Sequence, residues 1–142
     1  MLFRSEFYAS ELKKSPQLRA LKGGDEVFPG LTAYASPGHT PHHLIYQLVT
    51  ADKDVIFTGD AVKNRAELVS GVADATLDVP ASAKTIQEIW AMWRKRPGSL
   101  LVPGHDVPMV LDGDKTRYVG RREAAIMAWF ADDLEQIGRA HV

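Results

Sequence analysis

Apolar and polar positions alternate over Leu31-Thr32-Ala33-Tyr34-Ala35-Ser36, which predicts a strand with one buried face, introduced by Pro29-Gly30 and ended by Pro37-Gly38. Upstream, Met1-Leu2-Phe3 reads as the end of an apolar strand. Ser5 to Ser15 reads as a short helix with Phe7, Tyr8 and Leu12 on one side, stopped by Pro16. Gly23-Gly24-Asp25-Glu26 reads as a turn. Downstream, His43 to Val49 and Asp54 to Thr58 are rich in β-branched and aromatic residues, and the polar Ala51-Asp52-Lys53 between them predicts a hairpin.

Residues 61 to 80 lack a sustained period and carry Gly71 and Pro80, so they read as a long irregular loop with room for a helical turn. Ala81 to Arg96 is the strongest helix pattern, with Ser82 as its N-cap and Ile86, Ile89, Trp90 and Trp93 on one stripe. Arg94, Lys95 and Arg96 complement its C-terminus, and Pro97-Gly98 stops it. Such an aromatic stripe belongs to a core rather than to a cofactor box. Ser99 to Val102 predicts a short buried strand running into Pro103-Gly104-His105-Asp106. Thr116 to Ile137 predicts a last helix carrying Val119, Ile126, Trp129, Phe130, Leu134 and Ile137, with Arg121-Arg122 on a solvated face and His141 in a frayed tail.

Composition narrows the chemistry. The 142 residues suit one domain, residues 1 to 142, with no linker or internal repeat. Seventeen Lys plus Arg against eighteen Asp plus Glu exclude a strongly basic nucleic-acid binder, and no run approaches the length of a membrane span. The absence of cysteine excludes disulfides, thiolate metal sites and a cysteine nucleophile, leaving His, Asp and Glu as metal ligands. No leader is visible after Met1, which favours a cytoplasmic protein if Met1 is the true start.

Three polar residues share one setting: His39 in Pro37-Gly38-His39-Thr40-Pro41, Asp60 in Phe57-Thr58-Gly59-Asp60, and His105 in Val102-Pro103-Gly104-His105-Asp106. Each follows a predicted strand, so all three can converge on one sheet edge, and a glycine before each permits close backbone approach. Two imidazoles and a carboxylate suit zinc, and manganese or iron(II) accept the same mixture. Taken singly, each has an ordinary reading as a solvated turn residue.

Taken together and in this order, the Pro-Gly-His-Thr-Pro, Phe-Thr-Gly-Asp and Val-Pro-Gly-His-Asp segments resemble the metallo-β-lactamase-fold hydrolase superfamily over residues 1 to about 138. The resemblance implies an α/β (α+β) fold, the C-terminal half of an αββα sandwich. It implies that His39 is a ligand of a first metal, Asp60 the carboxylate bridging two metals and a catalytic group, and His105 a ligand of a second metal. The superfamily's His-x-His-x-Asp-His motif is absent from these residues, and its expected place is upstream of Met1. The chain thus reads as a partial, truncated domain with an incomplete dinuclear site.

In a complete domain the resemblance implies two zinc ions that lower the pKa of bound water and polarise the scissile bond of a small-molecule substrate. Esters, thioesters, lactones, β-lactams and phosphodiesters are the implied classes, with nucleic acid least favoured. His43 is expected to brace the loop beneath the site, and His42 to play no part. Asp106 either fixes the tautomer of a ligand imidazole or is a solvated turn carboxylate. Lys63, Asn64 and Arg65 either contact a substrate oxygen or form a solvated loop, the second being favoured. The alternative to an enzyme is a non-catalytic half-domain that packs on a partner or on itself, because one sheet face lacks a covering layer.

Overall fold

A computed structural model describes residues 13–120, together with the backbone of two further strands, 125–129 and 137–141. The expected strand at residues 1–3 and all but the last residues of the expected first helix lie outside the described residues, as do Arg121, Arg122, Phe130 and Leu134. Seven strands form one mixed sheet in sequential order: β1 (Glu26–Phe28), β2 (Leu31–Ala35), β3 (Leu44–Val49), β4 (Asp54–Gly59), β5 (Leu100–Pro103), β6 (Met109–Asp112) and β7 (Lys115–Tyr118). Neighbours are antiparallel except β4 and β5, which are parallel and need a crossover. Helices α1 (Arg65–Ser70) and α2 (Val79–Arg94) make that crossover. No helix among the described residues is long and apolar enough to cross a membrane.

The apolar stripe of α2 explains the layer order. Ile86, Ile89 and Trp93 pack with Ile45, Ile56, Leu101 and Met109 from four strands and with Leu68 of α1, all of them buried. The register puts Ile56 opposite Leu101, and Leu101 opposite Met109, so one row of alternating positions faces the helix. The indole N–H of Trp93 donates to the Ser99 carbonyl at 2.8 Å, satisfying the one polar atom this ring carries into the core. Positions of the other parity face away: Leu31, Leu44, Tyr46, Leu48, Val55, Leu100 and Val102 are only half-buried, and Phe57 is 39% exposed.

Three sequence expectations are corrected, and the helical turn allowed within residues 61 to 80 is found. The loop at 61 to 80 contains α1, capped by Asn64, whose side chain accepts from the Glu67 N–H, and closed by Gly71 at φ 72°. The N-cap of α2 is Asp78 rather than Ser82: its carboxylate accepts from the Ala81 N–H, and Pro80 occupies the first turn, where no N–H is needed. Ser82 is buried one turn further in and bonds Thr76.

Where the predicted last helix falls on described residues, strands and a bend stand in its place. Asp112 pairs with Lys115 around Gly113-Asp114, a two-residue hairpin turn with Gly113 at φ 60°, which draws Thr116 into β7 opposite Leu111. Beyond it, β8 (Ala125–Trp129) pairs antiparallel with β9 (Ile137–His141), so His141 stands in a ladder opposite Ala125 rather than in a frayed tail. Short apolar runs such as Ala-Ile-Met-Ala-Trp satisfy either period, and a pairing partner decides between them.

Candidate metal centre

Strand direction assembles the site. β2 is antiparallel to β3 and β3 to β4, so β2, β4 and β5 all run the same way and their C-terminal ends share one edge of the sheet. His39 lies in the loop after β2, Asp60 directly after β4 and His105 two residues after β5. The three predicted ligands meet there. One oxygen of Asp60 lies 2.8 Å from Nε2 of His105, and the other lies 3.3 Å from Nε2 of His39. The His105 side chain is 63% exposed and that of His39 25%, so the group opens to solvent on one side.

Two glycines allow this approach. A Cβ on Gly104 would fall 2.5 Å from the Gly59 carbonyl oxygen, so the backbones preceding His105 and Asp60 touch. Gly38, at φ 137°, sits where a Cβ would meet the backbone of Ser82 at 2.6 Å, and its carbonyl accepts the N–H groups of Leu77 and Asp78. The loop bearing His39 is therefore clamped on the start of α2, where the Thr85 hydroxyl also donates to the Pro37 carbonyl at 2.7 Å. The His105 N–H donates to the Lys63 carbonyl at 2.7 Å, joining the third strand end to the loop after Asp60.

Hydrogen bonding fixes the ring of His39. Its Nδ1 lies 3.0 Å from the Ala75 carbonyl oxygen, which can only accept, so the proton is on Nδ1. In the neutral ring Nε2 then presents a lone pair to the Asp60 carboxylate, an arrangement of two acceptors that calls for a proton or a cation between them. Two donors bound at about 2.05 Å around a tetrahedral ion lie about 3.4 Å apart. The His39–Asp60 separation of 3.3 Å matches that edge, whereas the His105–Asp60 contact of 2.8 Å is a direct hydrogen bond that has to open to admit an ion. As they stand, no three His, Asp or Glu side chains among the described residues form a ready-made metal cluster. The donor chemistry of two imidazoles and a carboxylate fits zinc.

Electrostatics agree with the geometry. The hydrogen bond from His105, with the charges of His39, His105 and Lys63, outweighs burial and holds the Asp60 carboxyl below its usual range. Burial first, then the neighbouring His39, push the His43 imidazole below its ordinary value, while Asp60 acts in the opposite sense. His43 is placed in the loop just before β3, its Nδ1 2.7 Å from the Ser36 hydroxyl and its ring edge-on to His39 with centroids 6.0 Å apart. His42 is exposed.

The remaining candidates lie around the triad. Asp106 accepts from the Arg65 N–H, the Val107 N–H and the Tyr118 hydroxyl, tying the β5–β6 connection to α1 and β7. Asn64 caps α1, Arg65 donates to the Thr116 hydroxyl at 2.7 Å, and Lys63 pairs with Glu67 at 3.0 Å. Glu67 and Ala75 were not singled out from the sequence. Asn64-Arg65-Ala66-Glu67 is a capping pattern that marks α1, whereas no local signal marks Ala75, whose part is played by its carbonyl.

Comparison with known proteins bears on the family and the fold. The sequence profile of the metallo-beta-lactamase superfamily matches residues 2–105. No curated protein matches significantly. Among solved structures, a mutant of AiiA from B. thuringiensis with N-decanoyl-L-homoserine bound at its active site is 26% identical, with a TM-score of 0.56 over 63% of this chain and 36% of that one. An N-acyl homoserine lactone hydrolase holding N-hexanoyl-L-homoserine at its catalytic metal centre gives the same values. A probable metal-dependent hydrolase from Staphylococcus aureus is 17% identical, with a TM-score of 0.61 over 71% of this chain and 39% of that one, and shares the fold. The chain therefore spans little more than a third of the length of these proteins, and on the profile match and the fold it belongs to the metallo-beta-lactamase superfamily.

Proposed function

We propose that this chain carries one part of the catalytic centre of a metal-dependent hydrolase, with His39, Asp60 and His105 as metal ligands and a lactone or related ester, thioester or β-lactam as substrate. The observation that carries the reading is the contact of one carboxylate with two imidazoles at the ends of three like-directed strands. The lactone is favoured within that range by the 26% identical hydrolase with an acyl-homoserine product at its metal centre. Residues 1 to 142 are taken as one partial domain, and the remaining ligands as lying outside it.

Each residue has a separate task. His39, its Nδ1 proton engaged by the Ala75 carbonyl, offers Nε2; His105 offers Nε2 from the opposite side; and Asp60, kept ionised, offers one oxygen to each side. Bound zinc supplies a Lewis acid for the scissile carbonyl and a water nucleophile at neutral pH, and manganese or iron can take the same donors. Asp60 holds the two sides together and can accept a hydrogen bond from an attacking water, orienting it. His43, with a depressed basicity and a bond to Ser36, stays neutral near pH 7 and braces the loop.

Calorimetric titration of the chain with zinc tests the assignment. The expected result is uptake weakened at least about tenfold by each of His39→Ala, Asp60→Ala and His105→Ala, the loss of one ligand from a small set. Zinc binding unaffected by all three substitutions sinks it.

A second reading, a non-catalytic half-domain that packs on itself or on another polypeptide, is supported by the apolar sheet face opposite α2, with Phe57 39% exposed at its middle. Sedimentation velocity discriminates: this reading expects concentration-dependent association that Phe57→Lys weakens, and a monomer at every concentration counts against it.

A further inference from the structure

Glu67 has almost no contact with solvent, 4% of its surface being exposed, and takes no part in the triad. A buried carboxylate is costly unless its oxygens are filled, and here they are filled by the two chain segments that support the histidines. Its Oε2 accepts the Lys63 N–H at 2.7 Å, and its Oε1 accepts the Asp74 N–H at 2.8 Å and the Lys63 ammonium at 3.0 Å. The same ammonium donates to the Asp74 carbonyl, closing a ring of contacts between residues 63, 67 and 74.

Both ends of that ring lead to the site. On one side the Lys63 carbonyl receives the His105 N–H at 2.7 Å. On the other, the Asp74 carboxylate accepts the Ala75 N–H at 2.8 Å and the Ala75 carbonyl holds Nδ1 of His39 at 3.0 Å. Ala75 is the non-glycine residue with positive φ among the described residues, at 48°. An L-residue is disfavoured in that region and persists only where neighbouring bonds impose it. Here those bonds run to Asp74 and, through it, to Glu67. One buried carboxylate is thus connected, bond by bond, to the backbone of His105 and to the ring of His39.

From this we infer that Glu67 is a positioning residue for the metal centre, acting through Lys63 and the Asp74–Ala75 turn on His105 and His39. The inference rests on the ligand assignment proposed above for its purpose, but not for its test. A role limited to capping α1 predicts a loss of stability alone, whereas positioning predicts a local release of the His39 ring.

The test is solvent exchange of the His39 Nδ1–H, followed by NMR in the zinc-free chain, with the indole N–H of Trp93 as the reporter of overall stability. Glu67→Ala and the milder Glu67→Gln are compared with wild type. The expected result is His39 exchange at least about tenfold faster in Glu67→Ala, in proportion to the loss of roughly one net hydrogen bond, with a smaller change in Glu67→Gln and Trp93 unchanged. Unchanged His39 exchange overturns the inference. So does equal acceleration of His39 and Trp93 in both variants, which is the signature of general destabilisation. Because no metal enters the readout, failure here leaves the zinc assignment standing, and failure of the zinc titration leaves this one standing.

Discussion

At the residue scale the strictest constraint is a missing side chain. Gly104 and Gly59 touch across the ends of two parallel strands, and the residues that follow them, His105 and Asp60, are thereby brought within hydrogen-bonding distance. Gly104→Ala places a methyl group 2.5 Å from the Gly59 carbonyl oxygen, inside any tolerated contact. We expect a loss of ~1–3 kcal/mol in urea-induced unfolding, the ordinary cost of overpacking, together with weakened zinc uptake. Stability equal to wild type contradicts this account. The glycines before all three candidate ligands are visible in the sequence, and their use for close approach follows from that. Which backbone each one meets is not legible there, because Ser82 lies on α2, more than forty positions along the chain from Gly38.

At the scale of elements, the 71–78 turn depends on one carboxylate. Burial pushes the Glu67 carboxyl upward, but the N–H groups of Lys63 and Asp74 and the Lys63 ammonium more than offset it, so the net shift is downward. A carboxyl depressed in the folded chain contributes stability that is fully present above the unfolded value, about 4.3, and is lost as pH falls through the lower folded value. Wild type should therefore lose thermal stability more steeply than Glu67→Gln as the pH is lowered from about 4.5 towards 3. Parallel Tm curves for the two proteins over that range refute the prediction. Helix α2 was legible because its stripe, basic end and Pro-Gly stop agree; its N-cap moved from Ser82 back to Asp78 and its last residue from Arg96 back to Arg94. The strands from Lys115 onward were not, since β7 is turned back at Gly113 onto β6, and β8 and β9 pair with each other, partners that helical spacing ignores.

At the scale of the whole molecule, the sheet has one face sealed by α2 and one face left half-open. Ile56, which points to the helix, is 0% exposed, and its neighbour Phe57, pointing the other way, is 39% exposed. The open face explains why two readings of function coexist: the ligand edge supports a hydrolase, and the apolar side supports a layer supplied by another part of the protein or by another polypeptide. The convergence of His39, Asp60 and His105 was readable only because three strand ends carry similar motifs, and their shared direction came from the pairing of β2, β3, β4 and β5. The bonds that aim His39 were hidden, since they run through a backbone carbonyl at Ala75.

The parallel pairing of β4 with β5 also has a consequence in time. The β3–β4 hairpin closes over a few residues, whereas the His105–Asp60 contact spans 45 positions and waits for both helices to cross the sheet. Contacts of such separation form slowly, since chain entropy is lost before they reward it. The histidine–carboxylate cluster should be among the last features to appear during refolding. A metal ion held there should then slow unfolding in stopped-flow experiments while leaving the refolding rate nearly unchanged, and faster refolding with zinc would place the cluster in the folding nucleus instead.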